Sequence, residues 1–73
     1  MATEVRAHIT GTVWKILVKP GDSVVLDQQV AILESMKMEM PIEAPAAGRV
    51  ASVARSEGAS VDEGDLIMTL ESE

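Results

Sequence analysis

Ala31-Ile32-Leu33-Glu34-Ser35-Met36-Lys37-Met38-Glu39-Met40 occupies the middle of a 73-residue chain, and two readings of it compete. Leu, Met, Glu and Lys are all good helix formers, so bare propensity favours a helix over residues 31–40. The alternative is an extended segment that turns at Lys37 and returns. Three of the five methionines, Met36, Met38 and Met40, crowd around that lysine. The rest of the chain decides between the two.

Working outward, apolar runs are short, rich in Val and Ile, and broken every few residues by Gly, Pro, Asp or Ser, which is the pattern of short strands. The runs are Val5-Ile9, Gly11-Val18, Ser23-Val25, Val30-Glu34, Met38-Ala44, Gly48-Ala54, Ser60-Val61 and Leu66-Leu70. Pro20-Gly21-Asp22 and Ser56-Glu57-Gly58 read as turns, with Gly supplying positive φ. Pro41 and Pro45 place the fifth run at a sheet edge or mark its end.

The second half repeats the first. A shift of 37 residues aligns Ala7 with Ala44, Gly11 with Gly48, Val13 with Val50, Gly21 with Gly58 and Ser23 with Ser60. It also aligns Val24 with Val61, Leu33 with Leu70, Glu34 with Glu71 and Ser35 with Ser72. These are nine identities in 29 ungapped pairs, where chance gives about two, so the chain holds two copies of one unit, neither able to bury its apolar face alone. The expected fold is all-β, a flattened antiparallel barrel or sandwich of two four-strand halves related by a pseudo-twofold axis. Val30-Glu34 matches Ile67-Glu71, whereas Lys37 has no counterpart, its match falling one place beyond Glu73. Lys37 therefore belongs to the hairpin joining the copies, and the helix reading fails. The two ends of the repeat, near Val5 and Ser72, are expected together at one end of the barrel, with Lys37 exposed at the other. Trp14, aligned with Ala51, is expected to fill one side of an otherwise symmetric core.

Composition narrows the function classes. The length allows one domain, residues 1–73, with a thin core, since so short a chain buries only about 60% of its unfolded surface. Met1 and the complete repeat suggest a free-standing chain. There is no cysteine, hence no disulfide and no thiolate metal site, which suits a cytoplasmic location. The net charge of −6 disfavours nucleic acid and anionic membranes as partners. No basic start followed by an apolar run marks a signal peptide, and no apolar run approaches a membrane span. His8 is the only histidine, so a usual zinc site lacks its ligands. Asp62-Glu63-Gly64-Asp65 lacks the ligand spacing of a calcium loop and reads as a turn. Nothing points to catalysis. Catalytic lysines are desolvated or set near other cations, while Lys37 lies between Glu34 and Glu39. A lysine at a hairpin tip is placed to be presented to another protein.

The sequence Glu34-Ser35-Met36-Lys37-Met38 resembles the attachment signature of biotinyl domains. The resemblance extends over Gly11-Thr12-Val13, Pro20-Gly21-Asp22, Gly48-Arg49-Val50 and Glu63-Gly64-Asp65, nearly the whole chain. It is greatest to small free-standing biotin/lipoyl attachment proteins, the carrier components of biotin-dependent carboxylases. It implies a barrel-sandwich hybrid fold and a covalent biotin on Lys37, joined by a biotin protein ligase. Met36, Met38, Glu34 and Ser35 would be cofactor-binding residues around it, the methionines assisting recognition or carboxyl transfer. It also implies a non-catalytic carrier whose biotin takes up a carboxyl group at a biotin carboxylase and delivers it at a carboxyltransferase. Related lipoyl domains carry Asp-Lys-Ala at the tip, so the two methionines favour biotin over lipoate. The other readings are a lipoyl carrier and an unmodified adaptor of the same fold. Larger carriers of this family have an inserted thumb between early strands; Gly11 to Val30 leaves no room for one.

Overall fold

Alternating apolar and polar residues interrupted by Gly, Pro and Asp produce eight strands in the computed structural model, which describes residues 2–72; Met1 and Glu73 lie outside it. The strands are β1 (Ala2–Arg6), β2 (Gly11–Ile16), β3 (Ser23–Val24), β4 (Gln29–Ser35), β5 (Met38–Glu43), β6 (Gly48–Val53), β7 (Ser60–Val61) and β8 (Leu66–Glu71). They match the eight expected runs, with ends shifted by up to three residues. No helix forms among the described residues. The contest over residues 31–40 goes to the hairpin because β4 buries Val30, Ala31 and Leu33 completely, and that burial outweighs a helix propensity of tenths of a kcal/mol per residue.

Two four-stranded antiparallel sheets result, ordered β1-β8-β6-β3 and β5-β4-β2-β7. Each sheet takes two strands from each copy of the repeat, so the copies interlock rather than forming one sheet apiece. Pro41 sits on β5, an edge strand that pairs with β4 alone, where a missing N–H is tolerated.

The pseudo-twofold relation extends to the hydrogen bonds. Fourteen backbone bonds outside the strand ladders are described, and they form seven pairs related by the 37-residue shift. Gly21 N–H donates to the Val50 carbonyl and Gly58 N–H to the Val13 carbonyl, at 2.8 and 2.7 Å, with φ of 95° and 93° at the two glycines. Only glycine adopts that backbone readily, so the two turns are equivalent in conformation as well as in sequence.

The core follows the same symmetry. Seven repeat pairs are buried on both sides: Val5/Ile42, Ala7/Ala44, Val13/Val50, Val24/Val61, Val30/Ile67, Ala31/Met68 and Leu33/Leu70. Among the described residues, Val18 is the remaining buried hydrophobic side chain, and its mate is Arg55. Trp14 departs from expectation. It is 43% exposed, with the Lys15 ammonium 5.6 Å from its ring centre. Trp14 follows the fully buried Val13, so the pleat turns it to the outer face, and β2 has a register shift between Val13 and Lys15, matched in β6 between Val50 and Ser52. Trp14 and Ala51 are therefore the extra residues of equivalent bulges, and both are exposed. The repeat pairs them correctly, but at a surface position.

The molecule is elongated, 36 × 18 × 17 Å, and the pairing shows which elements lie at which end. Ala2 pairs with Glu71, Glu71 with Arg49, and Val24 with Gly48, so the chain leaves β3 at the same end as both termini. From there β4 runs seven residues, roughly 20 Å, to Ser35. The connection from which β8 starts lies beside the far end, because Glu63 N–H and Ser35 Oγ both bond Thr10. Lys37 and the described termini, Ala2 and Ser72, thus occupy opposite ends.

Candidate functional site

Ser35 pairs with Met38 across the β4–β5 ladder, leaving a two-residue loop, Met36-Lys37. Their φ values are 51° and 66°, the left-handed geometry that both central positions of a type I′ hairpin turn require. Asn-Gly is the usual occupant, because an ordinary L-residue held there costs roughly 1–2 kcal/mol. Below the loop, Glu34 and Glu39 face each other directly, a like-charge cross-strand pair that also weakens a hairpin. Local rules are thus broken at consecutive positions, the mark of a segment retained for function rather than stability.

The surrounding structure supports this tip. Ser35 Oγ donates to the Thr10 carbonyl at 2.8 Å, and Glu63 N–H donates to Thr10 Oγ1 at 3.3 Å. Gly11 lies so close to the hairpin that an added Cβ would meet the Glu34 carbonyl oxygen at 2.5 Å and Ser35 Cβ at 3.2 Å. The β1–β2 and β7–β8 connections therefore clamp the base of the hairpin from one side. Thr10, Gly11 and Glu63 carry no local signal for this role: Thr10 and Gly11 meet the hairpin from within the first copy, and Glu63 reaches Thr10 only when the second copy folds beside it.

All five residues singled out in sequence come together on this hairpin. Lys37 and Glu34 are exposed, Ser35 is half-buried, and Met36 and Met38 are 92% and 62% exposed. No hydrogen bond or ion pair holds the Lys37 side chain among the described residues. Beside the tip is a recess of about 240 Å³ lined by Ile9, Ser35, Met36, Met38 and Met40. A larger open groove of about 820 Å³ lies along equivalent segments of the two copies, from Ile16 to Pro20 and from Val53 to Glu57. Its one lysine, Lys19, precedes Pro20 in an ordinary connection and not on a two-residue hairpin tip, so the tip is the candidate site.

Chemically, the arrangement offers one primary amine at the end of an unbranched stem, projected from a two-residue turn and flanked by thioethers. That fits an amide-linked prosthetic group. The amine is accessible to an acylating enzyme, and the methionines give soft apolar contact without fixed shape. Replacing Met36 by Asn and Lys37 by Gly should therefore raise stability by about 1–3 kcal/mol while removing the amine. Urea unfolding of Met36→Asn/Lys37→Gly against the parent measures this; no gain would mean that the turn is unstrained.

Residues 1–70 match the sequence profile of the biotin/lipoyl family described as "Biotin-requiring enzyme". The biotin/lipoyl attachment protein of Bacillus subtilis is 48% identical over 66 residues, which cover 90% of each chain. The dihydrolipoyllysine-residue acetyltransferase component of the Pseudomonas aeruginosa pyruvate dehydrogenase complex is 48% identical over 63 residues, covering 86% of this chain and 12% of that one. Among solved structures, a single-chain, multi-domain long-chain acyl-CoA carboxylase superposes with a TM-score of 0.92 at 29% identity, over 99% of this chain and 7% of that one. The chain thus corresponds to nearly all of a small attachment protein and to one small part of the large enzymes.

Proposed function

The chain belongs to the biotin/lipoyl attachment family, and on that premise we propose that it is a biotin carboxyl carrier modified on Lys37. The observation that carries this reading is the tip itself: an unpaired, exposed lysine between two exposed methionines on a strained turn. In this reading biotin attached there supplies a ureido nitrogen that accepts a carboxyl group in one active site and yields it in another. The chain's residues supply the rest. Lys37 provides the acceptor amine and the reach. Ser35, Thr10 and Glu63 hold the hairpin so that the lysine points away from the body. Met36 and Met38 give a biotin protein ligase an apolar feature to recognise. The partners would be that ligase, a biotin carboxylase and a carboxyltransferase, and docking raises the effective concentration of the tethered group at each site.

A lipoyl carrier is the second reading, favoured by the likeness to the Pseudomonas lipoyl component. The two differ at the positions beside the lysine. Incubation with a biotin protein ligase and, separately, with a lipoate ligase, each followed by intact mass, tests the choice. The parent protein should take biotin faster than lipoate. Met36→Asp/Met38→Ala should reverse that preference, with a change in stability of no more than about 0.5 kcal/mol because both side chains are exposed. An unchanged preference would assign recognition to the framework and not to the methionines.

A further inference from the structure

The four described methionines divide sharply by exposure. Met36 is 92% exposed and Met38 62%, Met40 is half-buried, and Met68 is 0% exposed in the core. The chain has no cysteine, so no thiol intercepts an oxidant before these thioethers. Among the described residues, the two most exposed methionines are therefore the immediate neighbours of Lys37, and both line the apolar recess at the tip. We propose that Met36 and Met38 form an oxidation-sensitive gate on Lys37: conversion to their sulfoxides slows acylation of the lysine until they are reduced again. The consequence, though not the chemistry, rests on the carrier reading.

The oxidant is a hydroperoxide. A thioether lone pair attacks one peroxide oxygen and the O–O bond breaks. A sulfur–oxygen bond forms and, with hydrogen peroxide, the other oxygen leaves as water; sulfur gives up two electrons and the peroxide gains them. A methionine sulfoxide reductase reverses the step, a dithiol supplying two electrons and becoming a disulfide while the oxygen leaves as water. The sulfoxide is polar and chiral where the thioether was apolar and adaptable. A ligase that covers the tip must then desolvate two strong acceptors for which the recess offers only apolar neighbours besides Ser35. Met68 stays reduced, so the barrel is undisturbed and the effect is confined to the site.

The test treats the intact, unbiotinylated chain with hydrogen peroxide, maps oxidation by peptide mass, and follows biotin transfer by a biotin protein ligase. Met36 and Met38 should oxidise well before Met40, with Met68 protected. The doubly oxidised protein should accept biotin about tenfold more slowly, the effect of one or two poorly desolvated polar groups. Methionine sulfoxide reductases with a dithiol should restore the rate. Met36→Leu/Met38→Leu, whatever its own rate, should show the same rate with and without peroxide. Oxidation of Met68 in step with Met36, or equal transfer to treated and untreated parent protein, would overturn the gate. An untreated protein that takes no biotin at all would instead contradict the carrier reading, which keeps the two failures distinct.

Discussion

Lys37→Arg takes up no biotin from a biotin protein ligase, while its urea unfolding curve overlays that of the parent. Amide formation requires a primary amine, which the guanidinium lacks, so the loss of incorporation is complete rather than partial. The cation is kept, and the side chain makes no hydrogen bond or ion pair among the described residues. The left-handed turn tolerates Arg about as well as Lys, since both have unbranched stems. Stability should therefore change by less than about 0.5 kcal/mol. Two other lysines are controls within the same chain. Lys15 lies against the Trp14 ring, and the Lys19 backbone N–H is bonded to the Asp22 carboxylate. Neither sits on a two-residue tip, and biotin on either in Lys37→Arg would contradict the assignment.

Leu33→Ala and Leu70→Ala should each lose about 2–5 kcal/mol, the usual range for emptying a buried leucine site. The side chains are 0% and 1% exposed, and they are mates under the 37-residue shift. A chain of 73 residues has a total stability of only roughly 4–11 kcal/mol, so either variant approaches the unfolding threshold. The sharper expectation is parity: chemical unfolding of the two variants should give losses within about 1 kcal/mol of each other, the context dependence of a single such site. A loss confined to one of them would mean that the core is not built from equivalent halves.

The repeat explains why so much of this fold is legible. Gly21 and Gly58, or Leu33 and Leu70, mark equivalent positions by identity alone, and a residue without a mate, such as Lys37, is thereby marked as added to the framework. Trp14 is expected inside because the repeat pairs it with Ala51, but the pairing does not say which face the two residues take. The pleat decides it: Val13 and Val50 are buried, so Trp14 and Ala51 beside them face outward. The interlocking of the copies is likewise hidden, since short apolar runs do not record which partner strand they pair with. At the site, the residues on the hairpin were legible from the motif. The type I′ geometry was not, because Met-Lys replaces the Asn-Gly that signals such a turn. Thr10 and Glu63 were also missed; their contacts with the hairpin's supports span 25 and 53 residues of sequence.

The central claim is that Lys37 is a biotin acceptor presented by this fold. Fragment mass spectrometry of the protein isolated from its native source locates any covalent group to a residue and identifies it by mass. The account predicts one biotinyl group per chain, on Lys37 alone. A biotinyl group elsewhere, a lipoyl group in its place, or a Lys37 that carries nothing in cells supplied with biotin would contradict it.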